Sequence, residues 1–136
     1  MSAQNGRDML VKLKTPENVY ETVVGLRTKT LRFNSKTVDV TDNDSAQGWK
    51  ELLPQAGMKF AEISGSGLFK TGANAALIRQ AFFDQDLLDL RFILPGFGQI
   101  DGPFLIGSLS YSGQYQGEAS FEIVFLSAGL PVFSAL

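Results

Sequence analysis

Residues 104–126 read FLIGSLSYSGQYQGEASFEIVFL, and their pattern decides the fold class. Two apolar runs, 104–111 and 119–126, flank the polar, glycine-bearing segment SGQYQG. Phe121, Ile123 and Phe125 recur at every second position, which puts all three side chains on one face of an extended chain. A polar connection between two such runs predicts an antiparallel hairpin with one face buried.

The same period extends upstream. Leu90, Phe92 and Leu94 alternate with Asp89, Arg91 and Ile93, and Pro95-Gly96-Phe97-Gly98 supplies a turn. Residues 8–14, with Met9, Val11 and Leu13 on one side, predict a first strand, and Pro16, Glu17 and Asn18 a turn after it. Two more strands are expected over 20–24 and 29–34, with Leu31 and Phe33 as the buried face of the second. Residues 58–69 read as extended, and Gly65 and Gly67 within them signal a bulge or the close approach of another backbone. The period changes to helical only over 74–84, where Ala75, Ile78 and Phe82 recur with Leu77 and Ala81 beside them and Asn74 is the expected N-cap. No repeat or linker divides the chain. The expected fold is mainly β: a single domain over 1–136, an antiparallel β-sandwich or barrel with one α-helix packed against it and extended loop and terminal arms.

Composition narrows the function. At 136 residues the chain should bury roughly two-thirds of its unfolded surface, enough for one core. With 44% hydrophobic residues, eleven phenylalanines and fourteen glycines it is too apolar for disorder and suited to strands and turns. Twelve basic residues against fourteen acidic leave no positive excess of the kind that grips a phosphate backbone. The start, MSAQNGRDMLVKLKT, lacks the apolar core of a signal peptide, and no run reaches the roughly 20 apolar residues of a membrane-spanning helix, so a cytoplasm-like compartment with no membrane partner is expected. Cysteine and histidine are both absent, which removes the usual zinc and iron–sulfur ligands and the base of Ser-His-Asp or Cys-His catalysis.

Three stretches invite a chemical reading. Asp42-Asn43-Asp44 begins like a calcium loop, but the sixth position from Asp42 is Gln47 where glycine is needed, and the twelfth is Leu53 where a bidentate glutamate is needed. Turn and cap chemistry fits better, with Asp44 or Ser45 capping a short helix over 46–53 and Pro54 ending it. GSGLFKTG, residues 65–72, matches no phosphate loop, because Phe69 precedes Lys70 where a P-loop has glycine. Asp84, Asp86 and Asp89 sit at an exposed junction with no nucleophile or orienting partner. No catalytic residue, metal ligand or cofactor is expected.

The chain as a whole resembles the major tail tube proteins of long-tailed phages, and in particular those of gene transfer agents. The resemblance rests on GRDMLVKL near the start, on the run from TVVGLRTKTLRFNSKTVDVTDNDSAQGWKELLPQAGMKFAEISGSGLFK, on AFFD in the helix, on GQIDGPFLI, and on GEASFE through SAG. It implies a β-sandwich-like subunit that assembles into hexameric rings stacked as a hollow tube around a channel for double-stranded DNA. The strands of adjacent subunits would then join into a continuous inner barrel. Tail terminator, distal tail and tape measure proteins are the implied partners, in a virion or gene transfer agent tail assembled in a bacterial cytoplasm. It also implies arms that tie ring to ring. The matching segments are the N-terminal arm, residues 1–7, with Gln4, Asn5, Gly6 and Arg7; the long loop, residues 38–57, with Val38, Asp39, Val40, Thr41, Asp42, Asn43, Asp44, Trp49 and Leu52; and the apolar C-terminal tail, residues 127–136.

A conduit must let DNA slide, so its lining cannot be basic. Glu62 and Glu118 are the expected lumen-facing carboxylates. The competing expectation is a monomeric β-sandwich binding module that takes a cation or glycan on its Asp39 to Asp44 loop.

Overall fold

The structure is a computed structural model that describes residues 9–135 apart from 24, 43–46, 48, 56, 70–71 and 114. Its elements run β1 (Leu10–Lys14), β2 (Tyr20–Thr22), β3 (Leu26–Ser35), β4 (Val38–Asp39), β5 (Leu52–Leu53), β6 (Lys59–Leu68), α1 (Ala73–Asp84), β7 (Leu88–Leu94), β8 (Gly98–Ser112), β9 (Ser120–Ser127) and β10 (Val132–Ser134). The hairpin read from 104–126 is β8 and β9, paired from Phe104 opposite Ser127 to Ser112 opposite Ser120.

The main sheet has the order β2-β1-β7-β8-β9-β6-β3, with every neighbouring pair antiparallel. Its organising element is β8. Fifteen residues at about 3.3 Å each give this strand a length of about 50 Å, so it serves two half-sheets in turn. Residues 98–104 pair with β7 and residues 104–112 with β9. Phe104 is the pivot, opposite Leu88 on one edge and Ser127 on the other.

The two half-sheets close over one core. Val11 and Leu13 of β1, Leu90 and Phe92 of β7 and Phe104 of β8 pack with Ala61 and Ile63 of β6 and Phe121, Ile123 and Phe125 of β9. The alternation seen in the sequence is the cause: β1 and β9 bury every second residue. Removing each large side chain of this set from water stabilises the fold by about 1.5–3 kcal/mol. Gly67 brings β6 against β3 where the register slips between Leu26 and Thr28, and a Cβ there would overlap the Gly25 carbonyl. This is the close backbone approach that the glycines signalled.

The helix α1 covers one side of the core with Asn74, Ile78 and Ala81. The buried line is therefore rotated from the expected Ala75–Ile78–Phe82 stripe. Asn74 is not the N-cap, a position taken by Gly72. Its amide instead donates to the carbonyl of Thr22 at 3.1 Å and ties the helix to the end of β2.

Three other expectations change. Phe33 lies on the inner side of β3, opposite Ala61, yet it is 56% exposed because no element covers the end of this outermost strand. The expected helix over 46–53 is not formed at its end: Leu52 and Leu53 are β5, paired with Asp39 and Val38. The C-terminal tail, grouped above with the arms, packs in part on its own subunit: Ser127 completes β9 and β10 pairs with residues 99–101 of β8.

Candidate assembly surfaces

Four features of the surface bear on function. The first is the arm between β3 and β6. The backbone N–H of Lys36 donates to Met58 O at 2.8 Å and carries the β3–β6 ladder one step beyond the sheet, after which β4 and β5 form a separate two-stranded ribbon. Val40 N donates to Glu51 O at 2.9 Å. The Thr41 hydroxyl accepts from Glu51 N at 2.6 Å and donates to Glu51 O at 3.3 Å, so one side chain stands in for a further rung. Competition for these backbone groups is why the segment pairs as strands and does not coil as a helix.

Asp39 accepts from Thr41 N at 2.8 Å. Hydrogen bonds from Thr41 hold its carboxyl below the ordinary aspartate value, with a smaller contribution from Lys50, whose ammonium lies 3.9 Å away in a solvent-exposed pair. Asp39 is thus engaged within the arm. Among the described residues no three Asp, Glu, His or Cys side chains are grouped to hold a metal ion. The arm presents apolar side chains to solvent: Trp49 is 74% exposed and Met58 73%, with Val40, Leu52 and Leu53 also exposed. Asn43 and Asp44 lie outside the described residues, as do Gln4, Asn5, Gly6 and Arg7 of the N-terminal arm, and of Val38 only the backbone pairing is described.

The second feature is a pair of open strand edges. The outer edge of β3 has no partner among the described residues, and neither does residues 105–112 of β8 on the side where β7 has ended. These edges bound the four-stranded half-sheet β8-β9-β6-β3. Because its neighbours alternate in direction, the two free edges run antiparallel to one another. An unpaired edge is a template for another chain.

The third is the outward face of that half-sheet. The registers place Thr28, Thr30, Ser64, Ser66, Ser108, Ser110, Ser112 and Ser120 on it, with Arg32 opposite Glu62, with Glu122 between Ser66 and Ser110, and with the apolar Phe60, Leu68, Leu105, Val124 and Leu126 interspersed. One positive against two negative groups leaves a weakly acidic, hydroxyl-rich surface. Period-two serines and threonines carry this signal in the sequence, and of the two expected lumen-facing carboxylates only Glu62 lies on this face. Glu118 lies elsewhere, exposed in the connection before β9. Glu62 sits at the level of Leu126 and so is separated from that connection by most of β9, roughly 20 Å. The structure does not bring the two carboxylates together.

The fourth is a half-buried polar cluster on the other half-sheet. Arg91 Nε donates to Asp101 Oδ1 at 2.7 Å across the β7–β8 ladder, and the guanidinium carbon lies 4.0 Å from the centre of the Tyr20 ring. Burial raises the Tyr20 phenol, helped by the nearby Asp101 charge and opposed by Arg91. The hydrogen bond to Asp101 raises Arg91 further. Their geometry is that of a brace joining β2, β7 and β8.

The sequence profile described as phage tail tube protein matches residues 3–133. The chain belongs to the phage tail tube protein family. Its role is accordingly structural, as a protein of a tail tube, and not enzymatic. Two solved structures at 46% identity extend this. One is a chain in the virion of a native gene transfer agent particle, with a TM-score of 0.90 over 98% of this chain and 100% of that one. The other is a chain in the tail of an empty gene transfer agent particle with C6 symmetry, with a TM-score of 0.92 and the same coverage. A chain of the SPP1 tail tube shares the fold at 13% identity, with a TM-score of 0.72 over 97% of this chain and 80% of that one. Comparison with curated protein sequences gave no match. The comparisons do not support the monomeric binding module. The tail tube fold accounts for what a solitary domain would leave unexplained, namely open edges and an apolar arm on one subunit.

Proposed function

We propose that six copies of this chain form a ring and that rings stack into the tail tube of a phage-like or gene transfer agent particle, through which double-stranded DNA passes. The observation that carries this reading is the pair of antiparallel free edges on one half-sheet. The β3 edge of one copy fits the β8 edge of the next, a head-to-tail contact that closes when the rotation allows. Sixfold closure, as in the related tail, joins 24 strands; at about 4.8 Å spacing and about 40° tilt these form a barrel of roughly 24 Å radius, with a bore of roughly 35–40 Å inside short side chains. That bore is wider than a DNA duplex.

The hydroxyl-rich face fits the lumen. Phosphates meeting Ser and Thr with a slight carboxylate excess release few counterions, so DNA is not held. Glu62 belongs to this lining, and Glu118 fits a rim. The arm over residues 38–57 and the N-terminal arm fit ring-to-ring contacts, with the tail terminator, distal tail and tape measure proteins as partners at the ends and along the bore. Assembly in the bacterial cytoplasm follows from this role.

The test is elongation. Trp49→Ala, or deletion of residues 42–47, should leave a subunit folded by circular dichroism that no longer grows tubes under the electron microscope. Tubes of normal length from the deletion would remove the arm from assembly.

A further inference from the structure

The groove between α1 and the end of β8 is open and apolar, and it lies beside the free edge of β8. It encloses about 790 Å³, with Phe69, Phe82, Phe83, Leu109 and Tyr111 among its walls. Phe33 is its counterpart at the opposite edge of the half-sheet. That side chain stands on the inner side of β3, opposite the buried Ala61, yet it is 56% exposed within its own subunit. We propose that at each joint of the ring β3 of one copy pairs with β8 of the next four residues out of level, so that Phe33 fills the neighbour's groove. The inference rests on the ring reading above and specifies the register and the apolar contact of its joint.

Closure sets the size of the stagger. Barrel strands lean by about 35–45°, so across the four strands of one copy, about 4.8 Å apart, the next copy is displaced by about 13–19 Å, or roughly four to six residues. An odd shift would turn the side chains to the wrong face. A shift of four keeps residues 30–35 against 107–112 within both strands, whereas six keeps only 32–35 against 109–112. Two hydrogen bonds of β6 give the direction. Leu68, on the outward face, donates its N–H toward β3, to Gly25 O at 3.1 Å, and Phe69 donates toward β9, to Ala119 O at 2.9 Å. An L-residue whose side chain faces the viewer on a rising strand points its N–H to the right. With that face toward the bore and β6 rising, the strands seen from outside the tube therefore read β3, β6, β9, β8 from left to right. Right-handed twist makes barrel strands lean to the right in that view, which carries the copy joined at β8 forward along β8.

Shape and charge agree with this shift. Within one copy Leu31 is level with Ile106, through Ile63 and Phe125, so level pairing would leave Phe33 still further from the groove. Moved forward by four, Leu31 meets Tyr111 and Phe33 meets Leu109, both on the groove side of β8. On the other face Arg32 meets Ser110, whose partner in its own copy is Glu122. Arg32 then stands between Glu62 of its own copy and Glu122 across the joint.

The chain has no cysteine, so introduced pairs report the register. Direct antiparallel partners have Cα atoms about 4.5–5.5 Å apart, within disulfide reach, whereas four residues of misalignment add about 13 Å. Oxidised tubes of the Thr30→Cys, Ser112→Cys double variant should give, on a non-reducing denaturing gel, a ladder that ends at six subunits. Tubes of Thr30→Cys, Ser108→Cys, the pair that level pairing would join, should give none. A ladder from the second pair, no ladder from tubes of the first, or a ladder that runs beyond six overturns the proposal while leaving the tube intact. Failure of the unaltered chain to form sixfold tubes would instead refute the ring reading, and this inference with it. Independently of the cysteines, Phe33→Asp and Ala76→Trp alter the two sides of the contact at exposed positions. Each should leave a subunit with unchanged circular dichroism that forms no rings, and tubes of normal length from either would contradict the filled groove.

Discussion

Glu62 and Arg32 are direct cross-strand partners on the outward face of β6 and β3. Their charges offset each other beside a field of hydroxyls, which leaves Glu122 as the net charge of the face. Replacing Glu62 and Glu122 together by lysine converts that face from one net negative to three net positive charges. Tubes of this double variant should bind duplex DNA in a sedimentation assay, with log affinity falling by about 0.9 per neutralised phosphate for each tenfold rise in salt, whereas unaltered tubes should not bind. Equal binding by both would place these residues away from the bore.

The pivot of β8 should dominate subunit stability. Phe104 is fully buried between the two half-sheets, so Phe104→Ala should cost about 3–5 kcal/mol in urea denaturation of the isolated subunit. Leu105, its half-exposed neighbour on the other face, should cost much less, about 1 kcal/mol or below, when changed to alanine.

Gly67 and Gly113 make a matched pair. A methyl group at Gly67 meets the Gly25 carbonyl and the Arg27 amide, whereas one at Gly113 meets nothing within 4 Å. Gly67→Ala should therefore destabilise by about 1–3 kcal/mol and Gly113→Ala by nothing measurable, read by the same denaturation curves.

Alkaline titration reports on the brace. The Tyr20 phenol is raised above its ordinary value of 10.0, chiefly by burial and then by Asp101, so the folded chain favours its neutral form. The stability that this contributes is fully present below pH 10 and is lost as pH rises through the raised folded value. Tyr20→Phe should remove that loss, seen as a flatter dependence of melting temperature on pH above 10.

What the sequence made legible depended on where each residue's partners lie. Phe121, Ile123 and Phe125 announced a buried strand face because their own chain covers it. Phe33 carried the same pattern, and only the position of β3 at the sheet margin leaves it uncovered. Leu52 and Leu53 read as the end of a helix because local propensity cannot register pairing with Val38 and Asp39 or the double use of the Thr41 hydroxyl. Asn74 was read as a cap since its long-range acceptor, the Thr22 carbonyl, is invisible in a local window. The hydroxyl-rich face was written as alternating serines, but its meaning depends on the register that aligns β3, β6, β9 and β8.

Electron cryomicroscopy of particles grown from the purified chain should show a hollow tube of stacked sixfold rings in which β3 of each subunit pairs with residues 105–112 of β8 in the next, with Ser64, Ser66, Ser108 and Ser110 facing the bore. A protein that stays monomeric at high concentration, or a tube whose wall leaves those two edges unpaired, would contradict it.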